Sequence, residues 1–244
     1  MGRFNKVRLS SQFGFSSLLP SAVWDSVARS PCPSASPISP SRVIVTVCAV
    51  FDHDIFVVFI CVDVFDIFII FLFYRECDIS STIDFIFGNA AAVFQNCNIY
   101  LRKPRKGEPN VITVQGQSDP NQNIGIVIQF FNISSNTELL PVRCTVRSYL
   151  GRPWMKYSRT VYMQNNIGRL IDPARWLLWN GDFALNTLYY AEFKNKGPGS
   201  RMSKWVKWPG YHIIVKSSLV RKFTVGNFID NVWLPSTGCP LPPA

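Results

Sequence analysis

The chain has 244 residues, 48% of them hydrophobic and 16% charged, which suffices for one large domain or two small ones with a sizeable core. Its formal charge of +10 is uneven: residues 1–73 carry five basic and five acidic side chains, so the whole excess lies in residues 74–244. A basic domain of this kind favours polyanions, namely nucleic acid, anionic lipid or an acidic polysaccharide, and with no Lys/Arg block or aromatic RNA-binding signature nucleic acid is the weaker choice. Seven cysteines without a CxxC pair, and only two histidines, His53 and His212, argue against a zinc site, a His-rich metal site and a His-based triad.

Residues 1–42 are rich in Ser and Pro and show no periodic apolar face, which predicts a disordered or low-structure segment. The start is basic, but the apolar stretch from Phe13 to Trp24 is broken by Ser16, Ser17, Pro20 and Ser21, so no clear signal peptide is read there. Residues 43–73 differ from both flanks. Val43 to Val50 reads as a strand, and Ile55 to Phe73 is almost continuously apolar, interrupted by Asp63 and Asp66. Its 19 residues could cross a membrane as a helix. The Ile, Val and Phe content favours buried strands instead, and no stable membrane span is expected. From residue 74 to 244 short apolar runs alternate with Asn, Gly, Asp or Pro, for example Val111–Val114, Ile124–Phe131 and Thr160–Met163. Many short strands with polar turns predict an all-β sandwich, barrel or stacked solenoid, and Asn-containing steps such as Gln95-Asn96-Cys97-Asn98 suit solenoid corners. Asn132-Ile133-Ser134 is a glycosylation sequon, which points weakly to secretion.

Two stretches carry candidate chemistry. In Ser81 to Cys97, Asp84 is a lone carboxylate in an apolar run, and strict alternation would place it with Ile86 on one face and Ile83, Phe85 and Phe87 on the other. Gly88-Asn89 then supplies a turn. Such a carboxylate either caps a turn or faces a groove with a partner, because burying it alone is costly. In Tyr149 to Trp154, Arg152 offers a carboxylate-binding fork and Trp154 a flat apolar plate, a set suited to a sugar acid and equally to a cation–π surface pair.

Ile-Asp-Phe-Ile-Phe-Gly-Asn-Ala-Ala at 83–91, Gln-Gly-Gln-Ser-Asp-Pro-Asn-Gln-Asn at 115–123 and Leu-Gly-Arg-Pro-Trp at 150–154 resemble the plant pectinesterases. So do Tyr-Ser-Arg-Thr-Val-Tyr-Met at 157–163, the stretch Trp179 to Phe193 and Phe-Thr-Val-Gly-Asn-Phe-Ile at 223–229, and the similarity covers about residues 73–244. The resemblance implies a right-handed parallel β-helix, truncated at its N-terminal end, that hydrolyses galacturonate methyl esters of pectin (homogalacturonan) in the cell wall after secretion. It implies no metal or cofactor, and it brings in a proteinaceous pectinesterase inhibitor as a partner. By the same resemblance Asp84 is the nucleophile, Arg152 the residue that keeps it ionised and oriented, and Phe87 and Trp154 are sugar-contacting aromatics.

The family's second Asp, a general acid and then base, precedes the nucleophile by 21 positions, which falls on Asp63. Val62 stands where the family has an oxyanion-donating Gln, and no Gln occurs between Gln12 and Gln95. Gln115 is the best remaining candidate to reach the Asp84 region, and Gln95 the next. The family's partner for Cys97 falls on Phe131, so Cys97 is expected to be a free thiol. Two functions follow: an impaired pectin methylesterase, or a catalytically inactive pectin-binding protein.

Overall fold

The computed structural model describes residues 71–201 and 204–229 in full, together with the backbone of four short strands nearer the N-terminus. Of those four, β1 (Val7–Arg8) and β2 (Ala28–Arg29) pair antiparallel. β3 (Ala49–Phe51) pairs antiparallel with β4 (Ile55–Ile60). The expectations of a low-structure segment over 1–42 and of a strand from Val43 fall mostly outside the described residues. Among the described residues no helix is long and apolar enough to cross a membrane.

From β4 onward the chain winds as a parallel β-helix. The coils build three sheets of parallel strands, and the last two coils contribute a strand only to the second. β4, β7 (Ile83–Gly88), β10 (Asn110–Gln115) and β13 (Ser148–Gly151) line up in the first sheet. The second holds β5 (Phe71–Arg75), β8 (Ala91–Gln95), β11 (Gly125–Gln129), β14 (Arg159–Met163), β16 (Tyr189–Phe193) and β17 (Tyr211–Ile214). The third holds β6 (Asp78–Ser81), β9 (Asn98–Leu101), β12 (Asn132–Ser135) and β15 (Asn166–Ile167). The winding extends to β17, which pairs parallel with β16.

The short runs of the sequence become strands because each stacks the same kind of side chain on the coil below. Ile79, Ile99, Ile133 and Ile167 are neighbours in register along the third sheet, all buried. Tyr74 lies flat on Phe94 in the second, ring centres 4.7 Å apart. Burial of such a column, rather than intrinsic propensity, stabilises strands this short. A second apolar layer covers the outside of the second sheet, where Val220, Phe223, Val225 and Phe228, on and between the short helices Ser217–Val220 and Val225–Phe228, pack on Val93, Val127 and Val161.

One bend recurs in each coil. Glu76, Asn96, Phe130, Gln164 and Lys194 all have φ between 47° and 57°, and each sits just after a second-sheet strand. The backbone amides of the first four continue the ladder, Asn96 donating to Gln129 O at 3.1 Å and Gln164 to Phe193 O at 2.8 Å. A single left-handed residue turns the chain without breaking inter-coil hydrogen bonds. Asn96 matches the expected Asn corner. The other corners carry Glu, Phe, Gln and Lys, for which the left-handed region is less favourable.

Cys77, Cys97 and Phe131 follow each other in register just beyond this bend. Cys97 is buried and free, as is the half-buried Cys77, whose amide donates to Cys97 Sγ at 3.3 Å. Donation from the Cys97 thiol brings Cys77 down to about 7, against the opposing effect of burial. Cys97 moves the other way, raised by that same hydrogen bond and by burial. Iodoacetamide should therefore label Cys77 with a rate that climbs through about pH 7 while Cys97 stays protected, as followed by peptide mass mapping of the folded protein. Equal labelling of both thiols at neutral pH would contradict this pairing.

Candidate active site

The site lies on the outer face of the first sheet. Against β10, β7 has one extra residue: Val111 pairs with Ile83, but Thr113 pairs with Ile86. Asp84 sits in this bulge with φ 54°, a left-handed conformation that is uncommon outside Gly and Asn. The bulge breaks the strict alternation expected from the sequence. Phe85 and Ile86 both turn into the interior, and Phe87 joins the outer cluster with Trp154. Asp84 and Phe87 thereby share a face that alternation alone would have denied them.

Arg152 reaches Asp84 across 68 residues of sequence. Its Nε donates to Asp84 Oδ1 at 3.1 Å and its Nη2 to Oδ2, a fork-on-carboxylate pair that fixes the plane of the carboxylate. Both side chains are half-buried, so each keeps a solvent-facing edge. Three features hold the arginine. Its backbone N–H donates to Thr113 O at 3.0 Å. The guanidinium lies over the Trp179 ring at 4.6 Å. The preceding Gly151 lets β13 approach β10, because a Cβ there would stand 2.3 Å from Thr113 Oγ1.

Trp154 and Phe87 meet edge to face with ring centres 6.4 Å apart. The Trp154 ring also rests on the Gly116 backbone, where a Cβ would come within 3.0 Å of it. The result is an apolar wall beside the Asp84–Arg152 pair. Trp179, 39% exposed, closes the other side of the arginine. Nothing in the stretch Trp179 to Phe193 signals this role, because the link of Trp179 to Arg152 exists only once the coils are stacked.

The remaining described candidates make other contacts. Gln115 is fully buried, and its Oε1 accepts from Gln117 N at 3.0 Å and Arg159 N at 2.7 Å, bracing the loop that follows β10. Gln95 sits on β8 in the second sheet, where its Nε2 donates to Gln129 Oε1 at 3.3 Å in a ladder that Gln129 continues to Gln164. Asp63 and Val62 lie outside the described residues. Among the described residues no cluster of His, Cys, Asp or Glu could hold a metal ion.

A carboxylate held by a bidentate arginine and walled by two aromatics is equipped to present one oxygen to an electrophilic carbon of a sugar-sized substrate. The family model described as Pectinesterase matches residues 54–232. Pectinesterase 2 of Citrus sinensis is 56% identical over 170 residues, covering 69% of this chain and 33% of that protein. A pectinesterase/pectinesterase inhibitor of Ficus pumila var. awkeotsang is 56% identical over 167 residues, 68% of this chain and 31% of its own length. The solved pectin methylesterase from carrot superposes with a TM-score of 0.70 at 47% identity, over 71% of this chain and 55% of that one. This chain thus spans about one third of the length of the curated relatives it matches. On this family match, its three-sheeted parallel winding and the motifs that build the groove, the chain belongs to the pectinesterase family.

Proposed function

We propose that the groove binds methyl-esterified galacturonan and hydrolyses its methyl esters at a strongly reduced rate, with binding outlasting catalysis. The observation that carries this reading is the Arg152 fork on Asp84 beside the Phe87–Trp154 wall. In the proposed reaction an Asp84 oxygen attacks the ester carbonyl carbon, and the C–O bond to methoxide breaks as a proton is supplied. Water then cleaves the acyl–aspartyl intermediate, returning the Asp84 carboxylate and leaving a galacturonate carboxylate. Net, one ester and one water give one acid and one methanol. Asp63 is the proposed proton donor and later the base.

Among the described residues this set lacks an oxyanion donor. Gln115 spends its carbonyl on two backbone amides, and its Nε2 is buried away from solvent. That observation favours the second reading, a pectin-binding protein without turnover. The proposed location is the cell wall, where the substrate lies. A proteinaceous pectinesterase inhibitor is the proposed protein partner, in keeping with the Ficus pumila relative, whose name joins the two activities.

The test uses the purified full chain with methylated and de-esterified pectin. Binding to de-esterified pectin should weaken as salt rises, because it rests on exposed charges. Methanol release should stay near background. Absence of any pectin binding would remove both readings.

A further inference from the structure

We infer that Asn132 carries an N-linked glycan whose first sugar packs on the exposed ring of Phe130. Asn132-Ile133-Ser134 is the only Asn-X-Ser/Thr sequon in the 244 residues. β12 sets its three residues in alternation. Ile133 is buried in the apolar column, while Asn132 is exposed and Ser134 half-buried on the outer face of the third sheet. That face belongs to a different sheet from the Asp84–Arg152 pair.

The amide of Asn132 is held by its oxygen and leaves its nitrogen free. Asp78, Asn98, Asn132 and Asn166 stand in register along this face. Asn98 Nδ2 donates to Asp78 Oδ1 at 2.8 Å, and Asn166 Nδ2 donates to Asn132 Oδ1 at 2.9 Å. The ladder is broken between Asn98 and Asn132, because among the described residues Asn132 Nδ2 has no hydrogen-bond partner. A glycan is joined through that nitrogen, so the bond from Asn166 survives the modification. In the transfer, Asn132 Nδ2 forms a bond to C1 of the first sugar of a lipid-diphosphate-linked oligosaccharide. The C1–O bond to the diphosphate breaks, the lipid diphosphate leaves, and Nδ2 gives up one proton.

Phe130 is the second observation. The other left-handed corners that follow second-sheet strands are Glu76, Asn96, Gln164 and Lys194, all polar, whereas Phe130 places a ring that is 44% exposed at the same bend. Phe130 and Asn132 line one groove of about 330 Å³ together with Asn98, Asn166 and Lys196. The C–H face of a sugar laid on the ring removes apolar surface from water. The amides and the ammonium around it suit the hydroxyl and acetamide groups of an N-acetylglucosamine.

The inference rests on the proposed cell-wall location, since this modification takes place in the secretory pathway. The full chain is expressed in plant cells as it stands and, in parallel, behind an added secretory leader, and the peptide holding residue 132 is read by mass spectrometry. The leader-bearing chain should carry a glycan on Asn132, lost in Ser134→Ala and in Asn132→Gln and kept in Ser134→Thr. A leader-bearing chain recovered from the medium with bare Asn132 would overturn the site while the location stands. A glycan on the leader-bearing chain, with the unaltered chain bare and inside the cell, leaves the site standing while the location falls. Stability tests the contact with Phe130. The glycosylated chain should unfold at higher denaturant than Ser134→Ala, a variant that keeps the Asn132–Asn166 hydrogen bond. In a Phe130→Ala background that difference should fall by at least about half, and an equal difference in both backgrounds would overturn the contact. Trimming the glycan to its first sugar should preserve the difference without altering the chain, and its complete loss on trimming would place the stabilising contact elsewhere.

Discussion

Methanol release by this chain should run on the order of 100- to 1,000-fold below that of the citrus Pectinesterase 2 assayed beside it, the usual consequence of losing one preorganised oxyanion donor. The tetrahedral intermediate concentrates charge on the former carbonyl oxygen, and a donor already in place stabilises it without reorganisation. Val62 has no donor to offer, whereas a Gln at that position, next to Asp63, does. Val62→Gln should therefore raise release at least about tenfold, and adding Asp84→Asn should abolish the gain, because an amide oxygen is a poor nucleophile. Binding of de-esterified pectin should persist in both variants. Turnover equal to the citrus enzyme in the unaltered chain, lost in both Asp84→Asn and Asp63→Asn, would show that oxyanion stabilisation comes from elsewhere and that the esterase is intact.

The second large effect concerns stability. Replacing Arg175 by Ala should cost about 3–5 kcal/mol, the scale for removing one partner of a buried ion pair. Arg175 Nη1 donates to Glu192 Oε2 at 2.8 Å with both side chains almost fully buried. Asn195 Nδ2 and Tyr211 OH donate to the same carboxylate at 2.9 and 2.8 Å. Burial raises Glu192 above the ordinary carboxylate range, and Arg175 opposes that most strongly. Glu192 follows Tyr162 in the interior column, and the next residue in register, Ile213, is 45% exposed. The ion pair thus closes the end of the apolar stack, and Arg175 Nη2 ties it to Gly199 O at 3.0 Å. Since Arg175 has φ 68°, Arg175→Gly should be less damaging than Arg175→Ala by about 1 kcal/mol, having no Cβ to strain. Denaturant unfolding of the two variants, of Glu192→Ala and of Arg175→Ala/Glu192→Ala checks this. A double variant as unstable as the sum of the single ones would mean that the pair is not coupled.

Much of the winding was legible because the signals that specify it are local. Ile79, Ile99, Ile133 and Ile167 each sit in a short run closed by polar residues, and Asn96 stands at a corner where Asn was expected. The Asp84–Arg152 pair was legible through motif resemblance, since nothing within either segment encodes a contact across 68 residues. Three things were not legible. The bulge at Asp84 depends on pairing with β10, so alternation misassigned Phe87. The corner residues Glu76, Phe130, Gln164 and Lys194 adopt a backbone conformation that their side chains do not advertise, imposed by the coils above and below. Arg175 and Glu192 look like solvated charges in a basic domain until the coil stack buries them together.

The left-handed corners have a consequence for how such a chain can change in length. Each corner is one residue, and it is followed almost at once by a third-sheet strand, such as β12 after Phe130. One residue added there would shift β12 against β9 and β15 and turn Ile133 outward, exchanging an apolar contact on each side for a polar one. The turns between the third and first sheets are different. They range from the single residue Thr82 between β6 and β7 to the long loops before β10 and β13, while the third-sheet strands before them keep their register. Growth and loss of sequence are thereby kept away from the bend after the second sheet and left to the other two turns, those entering the first sheet and those leaving it, the latter running from residues 89–90 to residues 116–124.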